Sequence, residues 1–370
     1  MTDEEVPAPA EPAAQRRATP IWLKLLTGVA VLAIIVGIAG TVIRIPYDTL
    51  SPGSALDLAP LVTIHGAKTY SGRGDVMLLF VRERDHINLW SWLQAKLDSD
   101  IDLVKQTDIS GGLPEAHLDL QGTCDMTYSK ESARVAALTA LGYKLKPLPG
   151  VDVIDFPQGT AKGKTINFPA EKYLLPCDVI SAVDGHRIAG PADVSKYIKA
   201  HRPGTSATLS VVRNGHTVTV KVPVVSYQGS RIIGIDAAPR FEIPFNIAVD
   251  TSGISGPSAG LAMTLAIIDG LTPGDLTGGK RVAVTGTISP NGDVGEIGGL
   301  PQKAVAAKAA HAQIFIVPVC VHDPGCDADL KTAKARVGKD VDVEPVATLA
   351  QALAILRKAG GAPLPAKTKA

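Results

Sequence analysis

The chain has 370 residues, enough for two or three domains, and its 37 Lys and Arg residues nearly balance its 36 Asp and Glu residues. No local stretch concentrates basic charge either, so the composition argues against a nucleic-acid-binding protein. Hydrophobic residues make up 45% of the chain and aromatic residues only 4%. This balance indicates folded domains with cores of small aliphatic side chains.

The N-terminal segment has the composition of a tail followed by a membrane anchor. Residues 1–20 are rich in Pro, Ala, Glu and Arg and predict a disordered cytoplasmic tail. Within residues 21–44, Leu25–Ile43 is a run of 19 uncharged residues, and a helix of that length crosses roughly 28 Å of bilayer. A buried core helix and a cleaved signal peptide are the alternatives, although no A-x-A cleavage site follows the run.

Positive charges are concentrated before this segment. Arg16, Arg17 and Lys24 precede the apolar run, whereas Arg44 follows it and the next lysine is Lys68. The positive-inside rule therefore predicts a single-pass protein of the cell membrane, with its N-terminus in the cytoplasm and the rest of the chain outside.

Four cysteines fit an oxidising, extracytoplasmic location and favour one or two disulfides, with free buried thiols as the alternative. Cys320 and Cys326 are close together in "CVHDPGCD", and we expect them to pair with each other. Cys124 and Cys177 are far apart, and four cysteines allow three pairings, so the sequence leaves the full pattern open. The spacing of Cys320, His322 and Cys326 does not match a zinc site, and no metal is predicted.

Residues 45–144 predict an extracytoplasmic α/β region without a recognisable catalytic pattern. "DVMLLFV" is typical of a strand and "LWSWLQAKL" of a helix. Residues 126–142, "MTYSKESARVAALTALG", have the polar start, apolar spacing and terminal Gly of a capped helix.

Residues 145–228 predict a β-rich domain. Short apolar runs alternate with turns, "RNGHTV" contains the Asn-Gly of a tight hairpin, and "ADVSKYIKAHRPG" is typical of a short helix. This pattern resembles a PDZ domain of the kind attached to bacterial proteases, although Cys177 stands where the family usually has Gly before Asp178. PDZ domains bind extended peptides by strand addition. A β-rich spacer without a ligand is the alternative.

Residues 230–358 predict the last folded unit, followed by a flexible tail at 359–370. Two patterns in this unit are misleading. "GDLTGGKR", Gly274–Arg281, half matches a phosphate-binding loop, but Arg281 replaces the required Ser or Thr and a strand follows, so no nucleotide is expected. "GPSAG" fits the nucleophile elbow of α/β-hydrolases with His311 or His322 as base, yet no "HGGG"-type loop precedes it.

A serine paired with a lysine accounts for this unit better. Ser258 in "GPSAG" is either a nucleophile or a cap of the helix that follows it. No histidine lies between His216 and His311, but Lys303 stands beside Pro301 at the predicted start of the helix in "GGLPQKAVAAKAA". Burial and the positive end of the helix dipole both disfavour a charged lysine there, which is what a lysine base requires.

Two other lysines are less suitable as the base. Lys308 lies five residues after Lys303, roughly 140° around the same helix, and therefore points elsewhere. Lys280 lies in a glycine-rich turn, where we expect it to be solvated.

"GPSAG", "VTGTI" and "GDVGEIGGLPQK" resemble, in order and spacing, the proteolytic domain of the Lon family. The resemblance implies a catalytic dyad of Ser258 and Lys303, with Thr285 orienting the lysine. Ser255 and Thr287 stand where ATP-dependent Lon enzymes usually have acidic residues, so the positioning of substrate is expected to differ.

The anchor, the PDZ-like domain and the Lon-like domain together resemble membrane-anchored PDZ-containing Lon-like proteases. The resemblance implies an α+β multidomain protein: an ATP-independent serine endopeptidase that cleaves polypeptides outside the cytoplasm without cofactor, metal or nucleotide. It also implies a homo-oligomer such as a hexamer. The alternative is a membrane-anchored peptide-binding scaffold that has the Lon-like fold but no activity.

Overall fold

A computed structural model describes residues 20–107, 115–161, 163–321 and 325–365. The predicted N-terminal tail up to residue 19, His322 and the last five residues lie outside this part. The described helices are α1 (Ile21–Val42), α2 (Leu89–Leu97), α3 (Glu115–Ala140), α4 (Pro191–Ala200), α5 (Gly260–Leu271), α6 (Leu300–Ala309), α7 (Cys326–Val337) and α8 (Leu349–Lys358).

The described strands fall in two stretches of the chain. Before residue 180 they are β1 (Tyr47–Asp57), β2 (Val62–His65), β3 (Asp75–Arg84), β4 (Asp102–Lys105), β5 (Lys146–Asp155), β6 (Gln158–Ala161), β7 (Lys164–Asn167) and β8 (Val179–Val183). After it they are β9 (His186–Arg187), β10 (Ser206–Arg213), β11 (His216–Pro223), β12 (Val225–Tyr227), β13 (Ser230–Ile232), β14 (Asp236–Glu242), β15 (Asn246–Val249), β16 (Arg281–Val284), β17 (Thr287–Ile288), β18 (Val294–Gly295), β19 (Ile314–Pro318) and β20 (Asp342–Val346).

Helix α1 is long and apolar enough to cross a membrane by length and composition. Its bounds agree with the predicted anchor, and of its residues only Gly40 is buried. In the part of the chain that the structure describes, the large aliphatic side chains of α1 are exposed, which argues against a buried core helix.

The main sheet has six strands in the order β20-β19-β16-β3-β1-β4. Strand β16 pairs in parallel with both β19 and β3, whereas β1 pairs antiparallel with β3 and β4. The sheet therefore crosses the predicted division between residues 45–144 and 230–358. Where the sequence pattern predicts two separate units, these segments share one sheet and the hydrophobic cores on both of its faces, because β3 is paired on both edges and buried on both faces.

Helices cover both faces of this sheet. Along β3, Val76 and Leu78 pack on the side of α3 and α5, and Met77 and Leu79 pack on the side of α6 and α7. Alternate residues of a strand point to opposite faces, which is why this short apolar run supplies two cores. Helix α5 packs on one face of the sheet and α6 on the other. The ends of both helices therefore lie beside the same strands.

A second sheet, in the order β11-β10-β8-β5-β14, forms the PDZ-like domain, with β9 paired to β8. The predicted hairpin joins β10 to β11 through Asn214 and Gly215, which have φ angles of 50° and 79°. Val194 and Ile198 of α4 are buried in the core of this domain. The predicted fold class, an apolar N-terminal helix followed by a PDZ-like β domain and a Lon-type α/β domain, is confirmed.

Both pairs of cysteines form disulfides. The expected Cys320–Cys326 pair is confirmed, and the second disulfide joins Cys124 of α3 to Cys177 in the turn before β8. Cys177 has a φ of 65°, a left-handed conformation that glycine adopts most readily. This backbone conformation is consistent with the Gly expected at that position from the resemblance to PDZ domains.

The start of the predicted C-terminal tail is packed against the body of the protein. Gly361 is buried, and the Ala362 N–H donates a hydrogen bond to the Asp275 carbonyl at 2.8 Å. The chain is therefore held in place for several residues beyond α8.

Candidate active site

Ser258 lies two residues before α5, in the loop that leads out of β15. The N-cap of α5 is Ala259, and no side chain caps the helix. The Ser258 hydroxyl contacts Lys303 instead. The geometry therefore does not support the alternative in which Ser258 only caps the helix.

The backbone of Ser258 is held from the side of β16. Its carbonyl accepts hydrogen bonds from the Gly286 N–H at 3.0 Å and from the Thr285 hydroxyl at 3.4 Å. Gly286 has a φ of 143°, and a Cβ there would lie 2.9 Å from Val294 Cγ1. Glycine is required because both the backbone conformation and the space exclude a side chain.

Helix α3 holds the same loop from the other side. The Gly256 N–H donates to the Gly122 carbonyl at 3.1 Å, and the Ser129 hydroxyl donates to the Pro257 carbonyl at 3.0 Å. Ser129 is buried. Sequence reasoning did not identify it, although a small polar residue on the apolar face of the predicted helix 126–142 was the available signal.

Lys303 lies in the first turn of α6, as predicted. The helix starts after Gly299, which has a φ of 68° and packs so tightly that a Cβ would lie 2.8 Å from Val81 Cγ1. This close approach to β1 and β3 buries the Lys303 side chain to 2% exposure. Its Nζ is 2.9 Å from Ser258 Oγ and 3.2 Å from Thr285 Oγ1.

Burial changes the protonation of this lysine. Removal from water by burial lowers the pKa of Lys303 from 10.5 to about 7. Near neutral pH a substantial fraction of the amine is therefore uncharged and has a free lone pair. A neutral amine 2.9 Å from a serine hydroxyl is placed to accept its proton.

Thr285 completes the contact. Its side chain is fully buried, and its hydroxyl lies between the Lys303 amine and the Ser258 carbonyl. All three residues predicted for the site are thus in direct contact. They come from the loop before α5, the end of β16 and the start of α6, which the main sheet brings together.

A cleft of about 240 Å³ opens beside Ser258 and Lys303. Its apolar lining comes from β3, α3 and the loop before α5, namely Leu78, Leu79, Phe80, Val81, Met126 and Ile254. Glu83 is the single acidic residue of the lining, and burial together with the nearby carboxylates of Asp85 and Asp48 raises its pKa. The cleft thus combines apolar side chains with the polar groups of Ser255, Ser258 and Lys303.

The other basic residues considered from the sequence are not part of this contact. His311 is exposed just after α6, and Lys308 forms an exposed ion pair with Asp340 at 2.9 Å. The strand before the serine, β15, pairs antiparallel with β2 outside the main sheet. An α/β-hydrolase elbow follows a strand of the central parallel sheet, so this topology argues against that alternative.

Neither a metal nor a nucleotide site is indicated in the described residues. One group of carboxylates, Asp48, Glu83 and Asp85, has ligand atoms within 4.8 Å of one another, but exposed acidic groups are common without an ion and nothing else there points to one. The glycine-rich turn before Arg281 leads into β16, so it lacks the following helix that phosphate-binding loops use.

Comparison with known proteins finds two matching families. Residues 242–358 match the Lon protease (S16) C-terminal proteolytic domain, and residues 164–224 match the PDZ domain family. The Lon protease of Chloroflexus aggregans is 31% identical over 135 residues, which are 35% of this chain and 16% of that protein. The Lon protease of Clostridioides difficile is 31% identical over 122 residues, which are 32% of this chain and 15% of that protein.

The chain thus spans only about a sixth of the length of these relatives. Among solved structures, the PDZ domain of the SdrC-like protein from Listeria monocytogenes aligns with 26% of this chain and 93% of its own, at 20% identity and a TM-score of 0.20. That structural similarity is too low to add to the family match. The sequence matches support a serine protease. The chain combines a Lon-type C-terminal proteolytic domain with a PDZ domain, behind an N-terminal helix apolar enough to span a membrane.

Proposed function

We propose that this chain is a membrane-anchored serine endopeptidase that cleaves polypeptides on the extracytoplasmic side through a Ser258–Lys303 dyad. The observation that carries the proposal is the 2.9 Å contact between the hydroxyl of Ser258 and the buried amine of Lys303. A lysine with a pKa of about 7 supplies a neutral base at physiological pH. No metal, nucleotide or organic cofactor is needed for this chemistry.

In the proposed reaction, Lys303 Nζ takes the proton of Ser258 Oγ while the oxygen attacks the scissile carbonyl carbon. The tetrahedral intermediate collapses when the Lys303 ammonium gives that proton to the leaving amine, which breaks the peptide bond and leaves an acyl ester on Ser258. Lys303 then deprotonates a water molecule, and the hydroxide attacks the ester. Return of the proton to Ser258 releases the carboxylic product and restores the site.

Backbone groups beside the nucleophile are available for the developing oxyanion. Within the described residues, the N–H groups of Ser258 and Ala259 donate no hydrogen bond. Both precede the first turn of α5, where the helix dipole favours negative charge. We assign them to the stabilisation of the tetrahedral intermediate, a contribution that is typically worth about 3–4 kcal/mol per donor.

Thr285 acts as a positioning residue in this scheme. Its hydroxyl lies 3.2 Å from Lys303 Nζ and fixes the direction of the amine lone pair toward Ser258. The cleft beside the dyad binds the substrate chain. The PDZ-like domain recruits polypeptides, so free peptides that bind this domain should inhibit cleavage of proteins and spare cleavage of short unstructured peptides. The hexamer implied by the resemblance stays a prediction.

The test uses the full chain, purified in detergent, with an unstructured fluorogenic peptide. Ser258→Ala should reduce turnover to background because no acyl ester can form. Lys303→Arg should reduce it about 10³-fold, because a guanidinium does not release its proton in proteins. The matched controls are Ser252→Ala, in the same loop but bonded to Asp250, and Lys308→Arg, on the exposed side of α6.

Two results would contradict the proposal. Activity close to wild type in folded Lys303→Arg would exclude this lysine as the base. Failure of a serine-reactive phosphonate to label Ser258 in wild-type protein, together with no turnover of any peptide, would favour the scaffold alternative.

A further inference from the structure

Helix α2 presents an apolar face away from the protein. Trp90, Leu93 and Leu97 are 40%, 41% and 82% exposed, and their spacing places them on one side of the helix. Among the described residues outside α1, the other large exposed hydrophobic side chains are Ile43, Tyr143, Tyr173 and Val321, which are separate in sequence. Three of these seven exposed side chains therefore lie on one nine-residue helix.

The opposite side of α2 is well anchored. Ala95 is buried, and the helix contacts β1 and β4 of the main sheet. The Asn88 side chain caps the helix by accepting a hydrogen bond from the Ser91 N–H at 2.9 Å. The exposed face is thus a fixed feature of the fold.

The same helix is attached to the end of α1. The Trp90 indole N–H donates to the Gly37 carbonyl at 3.0 Å, and a Cβ on Gly40 would lie 2.2 Å from Trp90 Nε1. The indole therefore occupies the space that the missing side chain of Gly40 leaves. Gly37 lies five residues before Val42, the last residue of α1, which corresponds to about 8 Å along the helix axis.

This attachment determines where α2 lies relative to a bilayer. If α1 crosses the membrane, a side chain bonded to Gly37 lies within the membrane and not above it. Trp, like Tyr, is enriched at the interface between lipid headgroups and acyl chains. Leu93 and Leu97 lie on the same face of α2 as Trp90. Insertion of that face to the depth of Trp90 would therefore remove all three side chains from water.

We propose that α2 is an interfacial helix that inserts Trp90, Leu93 and Leu97 into the outer leaflet of the bilayer and docks the catalytic sheet on the membrane surface. The proposal rests on the proposed membrane anchoring by α1. Because α2 packs on β1 and β4, insertion holds the whole main sheet at a constant height above the lipid. Apolar burial at the interface drives such docking.

Depth-dependent tryptophan quenching tests the proposal on the full chain in phosphatidylcholine liposomes. The chain contains three tryptophans, Trp22, Trp90 and Trp92. In a variant with Trp22→Phe and Trp92→Phe, lipids brominated near the headgroup should reduce Trp90 emission at least twofold. A second variant that retains Trp22 alone reports insertion of α1. Quenching of Trp22 without quenching of Trp90 would overturn the docking but not the anchor, whereas quenching of neither would overturn both.

Matched substitutions in the Trp90-only background show which contacts are responsible. Leu93→Glu with Leu97→Glu should cut the quenching of Trp90 by half or more, and Tyr173→Glu should leave it unchanged. Gly40→Leu should expel the indole and also reduce the quenching. Gly28→Leu is its control, because a Cβ on Gly28 meets nothing within 4 Å.

Peptide turnover in detergent should stay within twofold of wild type in all four variants, which shows that the catalytic domain is folded. Unchanged Trp90 quenching after Leu93→Glu with Leu97→Glu would overturn the proposal.

Discussion

The Ser129 hydroxyl of α3 donates a hydrogen bond to the Pro257 carbonyl, 3.0 Å away and one residue before Ser258. The same helix forms a disulfide with the PDZ-like domain through Cys124 and Cys177. The loop that carries the nucleophile is therefore supported by a helix that is itself covalently attached to the neighbouring domain. Two of the following predictions test this support.

Ser129→Ala should lower kcat about fivefold and leave KM nearly unchanged. A buried hydrogen bond contributes roughly 1 kcal/mol, and this one positions the nucleophile without touching substrate. Ser129→Thr, which keeps the hydroxyl, should restore part of the rate. Thr123→Ala on the exposed side of α3 is the control, because its hydroxyl bonds only to Asp119 of the same helix. A rise in KM with constant kcat would instead mean that Ser129 affects substrate binding.

The two disulfides should contribute unequally to stability. The cysteines of the Cys124–Cys177 disulfide are 53 residues apart in sequence, and those of the Cys320–Cys326 disulfide are only 6 apart. Loop-closure entropy therefore predicts that the first disulfide adds about 4 kcal/mol to the free energy of unfolding and the second about 2 kcal/mol. Thermal unfolding of Cys124→Ser with Cys177→Ser should therefore occur at a lower temperature than that of Cys320→Ser with Cys326→Ser. The variant that lacks the Cys124–Cys177 disulfide should also lose activity, because α3 supports the nucleophile loop. Equal Tm values would show that loop length does not dominate.

Peptide turnover should rise with pH through about 7 and level off above it. The neutral form of Lys303 is the working base, and burial lowers the pKa of Lys303 to about 7. The measurement is kcat/KM of the full chain against pH with an uncharged peptide. A profile that is flat between pH 6 and 8 would show that the group titrating at about 7 is not the base.

Lys303→Met should abolish turnover and increase stability at pH 6. The folded pKa of Lys303 lies below its unfolded value of 10.5, so between about pH 7 and 10.5 the unfolded state binds more protons and stability rises with pH. Below pH 7 the full cost of a buried ammonium is present, and a methionine of similar length avoids it. Urea unfolding at pH 6 should show a gain of a few kcal/mol. Lys308→Met, at an exposed position, should show no such gain.

The orientation of the anchor predicts that residues after Arg44 are outside the cytoplasm. A C-terminal alkaline phosphatase fusion should be active, because this reporter folds only outside, and a cytosolic reporter at the same position should be inactive. Reversal of the two results would place the catalytic domain in the cytoplasm. Replacement of Arg16, Arg17 and Lys24 by Gln should weaken the preference, since these cations set the orientation.

Much of the candidate site was predictable because its signals are local. Pro301 and the glycines before it predict where α6 begins, and the absence of a histidine between His216 and His311 leaves a lysine as the nearby base. The resemblance of "GPSAG" and "GGLPQK" to the Lon proteolytic domain then identifies Ser258 and Lys303. The Cys320–Cys326 pair was also predictable, because the two cysteines are only six residues apart.

The sequence by itself determined the apolar span, the β-rich middle domain and the order of the motifs, because each depends on periodicity or composition over a few neighbouring residues. Only the tertiary structure decided that β3 pairs with β16, that Ser129 supports the nucleophile loop and that Cys124 bonds to Cys177. These contacts join residues far apart in the chain, and no local pattern specifies the partner. The depth at which Lys303 is buried also depends on them, because packing of α6 against β1 and β3 is what removes its amine from water.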